Sequence, residues 1–123
     1  LVALAMCPTP EIIQAAFDVN PPSREAKGTR NVFVNAQWAL GGEGTGAPVH
    51  FHNTAWNALI YGAKYWTLYP PRDKIMSHDQ ILQFTEENMQ IFCKRGKCPV
   101  TCVQTAGDVV IVPESWGHGV LNV

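Results

Sequence analysis

Charged residues are scarce in this sequence, and their scarcity excludes two kinds of protein. Asp, Glu, Lys and Arg make up 15% of the 123 residues, and nine basic against ten acidic side chains leave a net charge of -1. Binding to nucleic acid through bulk charge needs a basic surplus, so we expect no direct nucleic-acid partner. The chain also lacks a run of about 20 apolar residues, the length that a helix needs to cross a bilayer. We therefore expect no membrane segment in this chain.

Cysteine is scarce as well, and repeats and low-complexity segments are missing. Four cysteines fall below the roughly 8–10% that is typical of a disulfide scaffold. Hydrophobic residues, at 46%, suffice for a packed core, and with so small a net charge they exclude a disordered chain.

The sequence starts at Leu1 without an initiator methionine and stops at Val123 directly after a strand-like run. We therefore expect an incomplete fragment of a longer fold, of unknown oligomeric state.

Short apolar stretches separated by glycine and proline predict a mainly β protein. Pro10 suits the first position of a helix that ends near residue 18, so residues 1–30 are predicted to be a helix and loop that flank the main domain. The predicted strands begin at Asn31 and continue over residues 48–52, 55–61, 64–69, 100–104, 108–112 and 118–123. Gly62-Ala63 predicts a hairpin between two of them. Residues 31–123 would then form a barrel or sandwich with a few peripheral helices.

A helical insertion is predicted over residues 71–92. Ser77 and Gln80 have the spacing of a capping box, which predicts that a helix begins near Ser77 and ends near residue 90. Its expected buried positions are Ile81, Phe84 and Met89.

Two histidines, His50 and His52, flank Phe51 in a predicted strand. Residues i and i+2 of a strand point to the same face, so the two imidazoles are predicted to lie side by side. Imidazole is the commonest metal ligand, although two histidines at the edge of a core would give the same pattern. A third histidine, His118, lies between two glycines at the start of the last predicted strand, and a barrel could bring it close to the first two.

Five segments together resemble a JmjC domain, a family of cupin-type iron(II)/2-oxoglutarate oxygenases. They are the glycine-rich turn with His-x-His over residues 41–52, and the stretches over 55–60, 62–71, 106–113 and 116–122. The resemblance extends from about Trp38 to Asn122. It implies a double-stranded β-helix, the cupin or jelly-roll barrel, with iron(II) at its mouth. Three histidines also suit zinc.

The resemblance also implies roles for individual residues. The implied metal ligands are His50, His52 and His118. The residues implied to bind 2-oxoglutarate as cosubstrate are Lys64, Asn57 and Asn122. For Lys64 this role has a physical reason, because an ammonium inside a barrel needs an anion, but an exposed strand lysine is the commoner case. The implied reaction is hydroxylation of a side chain in a protein or peptide substrate.

Position 52 departs from most members of the family, which carry Asp or Glu there. One subgroup shares His-x-His with this chain, together with a Pro-x-x-Cys stretch that corresponds to Pro99–Cys102. Three neutral imidazoles leave the site one negative charge short of the two-histidine, one-carboxylate set. Two alternatives to the oxygenase therefore stay open. One is a catalytically impaired domain that acts as a binding or scaffold module, and the other is a metal-dependent cupin enzyme that uses no oxoacid.

The cysteines allow a prediction about the compartment. Cys93 and Cys98 could close a small loop as a disulfide in an oxidising compartment, or remain two ordinary thiols. With the subgroup resemblance, a disulfide would indicate the endoplasmic reticulum lumen. Cys102 lies in a predicted strand and is expected in the core, as free cysteine usually is.

Overall fold

Six strands in two antiparallel sheets dominate the computed structural model, which describes residues 37–123. The predicted helix from Pro10 and most of the predicted strand from Asn31 lie outside the described residues. The described strands are β1 (Gly46–His50), β2 (Ala55–Ala58), β3 (Ala63–Tyr69), β4 (Val100–Thr105), β5 (Val109–Val112) and β6 (Gly117–Asn122). A 3-10 turn covers Pro71–Asp73, and helix α1 runs through Ile81–Gln83, a π-helical turn at Phe84–Asn88, and Met89–Lys94.

The two sheets pack face to face as an open sandwich. The larger sheet has the strand order β1-β6-β3-β4, and the smaller one pairs β2 with β5. β3 pairs antiparallel with both β4 and β6. The mainly β, cupin-like prediction is therefore confirmed, although the strands of residues 37–123 form a sandwich and do not close a barrel.

Side-chain alternation along β3 divides the apolar residues between two cores. Tyr69 faces outward from the sandwich and joins a cluster that α1 covers, whose buried members are Val49, Tyr69, Ile75, Ile81, Phe84 and Leu121. Trp66 faces the smaller sheet and joins a second cluster with Val112 and Val120. We call the first cluster the outer cluster and the second the inner cluster. We call this second side, which lies between the sheets, the inner face. Each fully buried aliphatic or aromatic side chain contributes about 1.5–3 kcal/mol, so both faces of the larger sheet are stabilised.

The predicted hairpin at Gly62-Ala63 is wrong. β2 and β3 flank this turn but belong to different sheets, and Gly62 has a φ of 85°, in the left-handed region that favours glycine. Glycine thus marks a change of chain direction here, and the chain crosses from one sheet to the other instead of returning along the same one.

Helix α1 begins four residues later than the capping box predicts. The Ser77 hydroxyl accepts a hydrogen bond from the backbone N–H of Asp79 at 3.0 Å, inside a turn that precedes the helix. Such a local bond competes with capping, and Gln80, the residue at the cap position, makes no side-chain cap bond. Ile81 and Phe84 are buried as predicted, while Met89 is partly buried against the outer cluster. No helix within residues 37–123 is long and apolar enough to cross a membrane.

A disulfide joins Cys93, near the end of α1, to Cys98. The expectation for Cys102 is wrong, because this free cysteine is exposed. It lies on β4, an edge strand of the larger sheet, where Val100 and Val103 are also exposed. Exposure here follows from the edge position and not from the residue type.

Breaking the disulfide should destabilise the fold without affecting the opposite side of the sheet. We expect Cys93→Ser combined with Cys98→Ser to lower the free energy of unfolding by about 2 kcal/mol, because a small loop is no longer closed in the unfolded chain. Urea denaturation with and without reductant measures this loss. Cys102→Ser is the matched control and should leave the stability unchanged; equal losses in both proteins would contradict the prediction.

Candidate metal and cosubstrate site

Three imidazoles converge at one end of the larger sheet. His50 ends β1 and lies opposite His118 of β6 in the strand register, after a bulge in β1. His52 follows two residues later, and its backbone carbonyl accepts a hydrogen bond from the N–H of Ser115, which fixes the turn beside β6. The possible ligand atoms of the three residues all lie within 4.8 Å of one another. We call His50, His52 and His118 the imidazole cluster.

Hydrogen bonds to the backbone determine which nitrogen of each imidazole ring carries a proton. The Nδ1 atoms of His50, His52 and His118 lie 2.7, 2.6 and 2.9 Å from the carbonyl oxygens of Pro48, Asn53 and Trp116 respectively. A carbonyl oxygen only accepts, so each Nδ1 carries the proton and donates it. In the neutral form of a ring whose Nδ1 donates, the Nε2 atom keeps its lone pair, and backbone carbonyls orient metal-binding histidines in this way.

The spacing and burial of the imidazole cluster suit a small divalent cation. The Nε2 atoms of His52 and His118 are 3.2 Å apart, and two nitrogens bound to one metal at about 2.0–2.1 Å lie about 3.3–3.4 Å apart in a tetrahedral site and about 2.8–3.0 Å apart in an octahedral one. His118 is only 4% exposed. Burial, together with the nearby His50 and His52, lowers its pKa to about 4, although the bond to the Trp116 carbonyl acts in the opposite direction. His118 is therefore neutral at pH 7 and available as a ligand.

No carboxylate of residues 37–123 belongs to the imidazole cluster. The donor set within this range is three neutral nitrogens, which is the set of zinc sites such as that of carbonic anhydrase. A bound divalent cation would keep its full charge, and anionic ligands would be attracted to its open positions.

Three polar residues cross the inner face further along the same sheet. Lys64 of β3 lies opposite Asn122 of β6 on one side and opposite Gln104 of β4 on the other. Lys64 is two residues from Trp66 and Asn122 two from Val120, so both share the face of the inner cluster. We call Asn122, Lys64 and Gln104 the polar row.

Lys64 is the one charged member of the polar row. Burial lowers the pKa of its ammonium below the ordinary value, and no acidic group of the described residues contributes to the shift. A half-buried cation that lacks an anionic neighbour is costly, which makes this position suitable for an anionic ligand.

The polar row lies four residues along β6 from His118, which is roughly 13 Å at the usual rise of a strand. The floor between them is apolar, formed by Trp66 and Val120 of the inner cluster. The ring centres of Trp66 and His118 are 6.4 Å apart. The inner face therefore has three imidazoles at one end, an ammonium at the other, and buried apolar residues between them.

Asn57 faces this space from the smaller sheet. It lies on β2 opposite Val110, which packs on the inner cluster. Its Oδ1 atom is buried and has no hydrogen-bond partner among residues 37–123. A buried polar atom without a partner costs about 1–3 kcal/mol, so this amide oxygen is open to a donor from a ligand or a bound water.

Asn122 lies beside Lys64 and not beside the imidazoles. Its Nδ2 group donates to Thr45 Oγ1 at 3.0 Å and to the carbonyl of Gly42 at 3.4 Å, so the amide is held by the glycine-rich turn. A Cβ atom on Gly41 would lie 2.5 Å from this Nδ2. A side chain at position 41 would therefore displace the Asn122 amide or the Thr45 hydroxyl.

Gln104 is the site residue that the sequence analysis missed. It is 1% exposed and makes three side-chain hydrogen bonds. The available signal was a glutamine inside the predicted strand, two residues before the turn at Ala106-Gly107. Strand parity alone could not show that it faces the same side as Lys64, because the pairing of β3 with β4 was not predicted.

Comparison with known proteins shows which proteins this chain is similar to. No protein-family model matches the chain. It is 30% identical over 105 residues to JmjC domain-containing protein 8 of Homo sapiens. This alignment covers 84% of the chain and 38% of that protein. It is 32% identical over 95 residues to the 2-oxoglutarate and iron-dependent oxygenase JMJD4 of Gallus gallus, and 30% identical over 93 residues to the arginine-specific demethylase JMJ20 of Arabidopsis thaliana, in each case over 68% of this chain. These alignments cover only 22% and 20% of the two proteins.

Proposed function

The chain is a homologue of the JmjC domain-containing proteins, and from this premise we propose that it binds iron(II) and 2-oxoglutarate and hydroxylates a side chain of a protein or peptide substrate. The observation that supports this proposal is the inner face, where the imidazole cluster and the ammonium of Lys64 lie at opposite ends of one apolar floor. The name of one relative, a 2-oxoglutarate and iron-dependent oxygenase, agrees with a site of this composition.

Each polar residue of the inner face has a defined part in this proposal. His50, His52 and His118 hold the metal through their Nε2 atoms. The Lys64 ammonium pairs with the far carboxylate of 2-oxoglutarate, and Asn122 lies beside it. Asn57 can present its NH2 group to a carboxylate after rotation of the amide, because the two ends of that group are interchangeable in shape. The bound metal and 2-oxoglutarate supply the oxidising chemistry, while the protein supplies geometry and charge.

A second function is favoured by the imidazole at position 52. Three neutral nitrogens form a good zinc site, and they lack the carboxylate of the usual iron set. A catalytically impaired domain that holds zinc and serves as a binding or scaffold module would keep the imidazole cluster and lose turnover.

Conversion of 2-oxoglutarate to succinate separates the two functions. We expect the natural chain, loaded with iron(II) in the presence of oxygen, to produce succinate, and a hydroxylated peptide from a suitable library to appear with it. Zinc binding without any succinate, at matched metal occupancy, would instead support the binding module.

Replacing the imidazole at position 52 tests whether the missing carboxylate limits iron binding. We expect His52→Asp to raise the affinity for iron(II) relative to zinc by about tenfold, because the new ligand supplies the absent negative charge. Anaerobic competition between the two metals measures the ratio. His78→Asp, at an exposed histidine outside the cluster, is the matched control. A loss of iron affinity as large as that of His52→Ala would show that three imidazoles are the working set.

The disulfide suggests where such a protein would act. We propose an oxidising compartment, with the endoplasmic reticulum lumen as the specific candidate, because a bond such as Cys93–Cys98 rarely persists in the cytosol. Alkylation of thiols in intact cells, followed by mass spectrometry, should find this pair oxidised; a reduced pair would contradict the proposal.

A further inference from the structure

We infer that Gln104 is a positioning residue for the cosubstrate, one that fixes the two walls of the 2-oxoglutarate pocket without contacting the metal. The inference rests on the proposed function, since it concerns the same pocket. It adds a residue to which the sequence analysis gave no role.

The hydrogen bonds of Gln104 join both sheets. Its Oε1 atom accepts from Trp66 Nε1 at 2.8 Å. Its Nε2 group donates to the backbone carbonyls of Asn57 at 2.8 Å and Asp108 at 3.0 Å. Both N–H groups of the amide are used, and the side chain is buried. One side chain on β4 thus holds β3, β2 and the turn before β5.

Two of these partners bound the proposed pocket. Trp66 is part of the apolar floor between His118 and Lys64, and Gln104 holds its indole N–H. Asn57, on the facing sheet, carries the buried amide oxygen that has no partner within the described part of the chain. Because Gln104 donates a hydrogen bond to the backbone carbonyl of Asn57, it fixes the distance between the Asn57 side-chain amide and Trp66.

The neutrality of Gln104 also matters for Lys64, its direct neighbour across the β3–β4 ladder. An amide at this position completes the hydrogen bonds of the fold and adds no charge, so the ammonium stays available for a ligand anion. A carboxylate of the same shape would pair with Lys64 and repel the incoming carboxylate of 2-oxoglutarate. Gln104 is far along the strand from the imidazole cluster, so neither effect should reach the metal.

Two variants and two probes test the inference with the full chain loaded with zinc. Gln104→Glu keeps the acceptor for Trp66, loses both N–H donors and adds a charge beside Lys64. Gln104→Met removes all three bonds at similar volume. Gln90→Glu, at an exposed position of α1, is the charge-matched control. The probes are 2-oxoglutarate and pyruvate, a 2-oxo acid that can chelate the metal but has no second carboxylate to reach the polar row.

We expect Gln104→Glu to weaken 2-oxoglutarate binding by at least about tenfold, and Gln104→Met by about three- to tenfold. Zinc affinity and pyruvate affinity should stay within about twofold of the natural chain, measured by calorimetric titration. Gln90→Glu should change none of the three. A residue that acted only on the fold would weaken both probes and the metal together.

The outcomes separate this inference from the proposed function. If the natural chain binds no 2-oxoglutarate when it is loaded with zinc or, without oxygen, with iron(II), the proposed function is wrong and the inference falls with it. If the natural chain binds 2-oxoglutarate and Lys64→Met weakens it while both Gln104 variants do not, the inference alone is overturned. An equal loss of pyruvate, zinc and 2-oxoglutarate affinity in the Gln104 variants also overturns it.

Discussion

His118→Ala should remove stoichiometric metal binding from this protein. His118 is the most buried member of the imidazole cluster, and its Nε2 atom lies 3.2 Å from that of His52. The remaining His50 and His52 would hold a cation by two ligands from one short segment. Loss of an outer partner of a metal ligand already costs about 10–100-fold in metal affinity, so loss of the ligand itself should cost at least roughly 100-fold.

Metal content after dialysis, together with competition against a chelator, measures this loss. His78→Ala is the matched control, because His78 is exposed and outside the imidazole cluster. Retention of one equivalent of zinc by His118→Ala, at unchanged affinity, would show that the three rings do not share one cation.

Lys64→Met should separate cosubstrate binding from both metal binding and stability. The ammonium is the charged member of the polar row, and losing one partner of a desolvated charge pair costs about 2–5 kcal/mol. We therefore expect the affinity for 2-oxoglutarate to fall by at least about 30-fold. Metal affinity should be unchanged, since Lys64 is roughly 13 Å along the sheet from the row of His118.

The free energy of unfolding of the unliganded Lys64→Met protein should not fall, although its affinity for 2-oxoglutarate does. Burial lowers the pKa of Lys64, which means that the folded state penalises the charged form. Methionine has a similar length and no charge, so the free energy of unfolding should be equal to or higher than that of the natural chain. Lys94→Met, at an exposed lysine of α1, is the control. A parallel loss of stability and of 2-oxoglutarate affinity would mean that Lys64 has a structural role.

Local patterns predicted those parts of the fold that depend on neighbours in sequence. β3 and β6 begin and end within one residue of their predicted limits, because alternation and glycine boundaries are local signals. The start of α1 was misjudged because the Ser77 hydroxyl bonds to Asp79 two residues ahead, a choice between two local bonds that spacing cannot decide. The turn at Gly62 was recognised, but the sheet that the chain enters after it depends on distant strands.

For the candidate site, too, local patterns indicated some residues, while others depend on contacts between distant segments. Strand parity predicted that His50 and His52 act together, but β1 ends at His50, so the segment after the strand brings the two rings together. Parity also cannot select His118, which is 66 residues further on from His52. The family resemblance supplied that third residue. Gln104 was missed because its role depends on bonds to three segments. Cys102 was misplaced because only the sheet order shows that its strand is an edge.

Calorimetric titration of 2-oxoglutarate into the full chain, with and without bound metal, tests most directly whether the imidazole cluster and the polar row form one site. One equivalent should bind to the metal-loaded protein, and removal of the metal should weaken that binding by at least about tenfold. This result follows because the same molecule must contact the metal at one end and Lys64 at the other. Equal affinity with and without metal, or no binding to a protein that holds one equivalent of metal, would contradict the account.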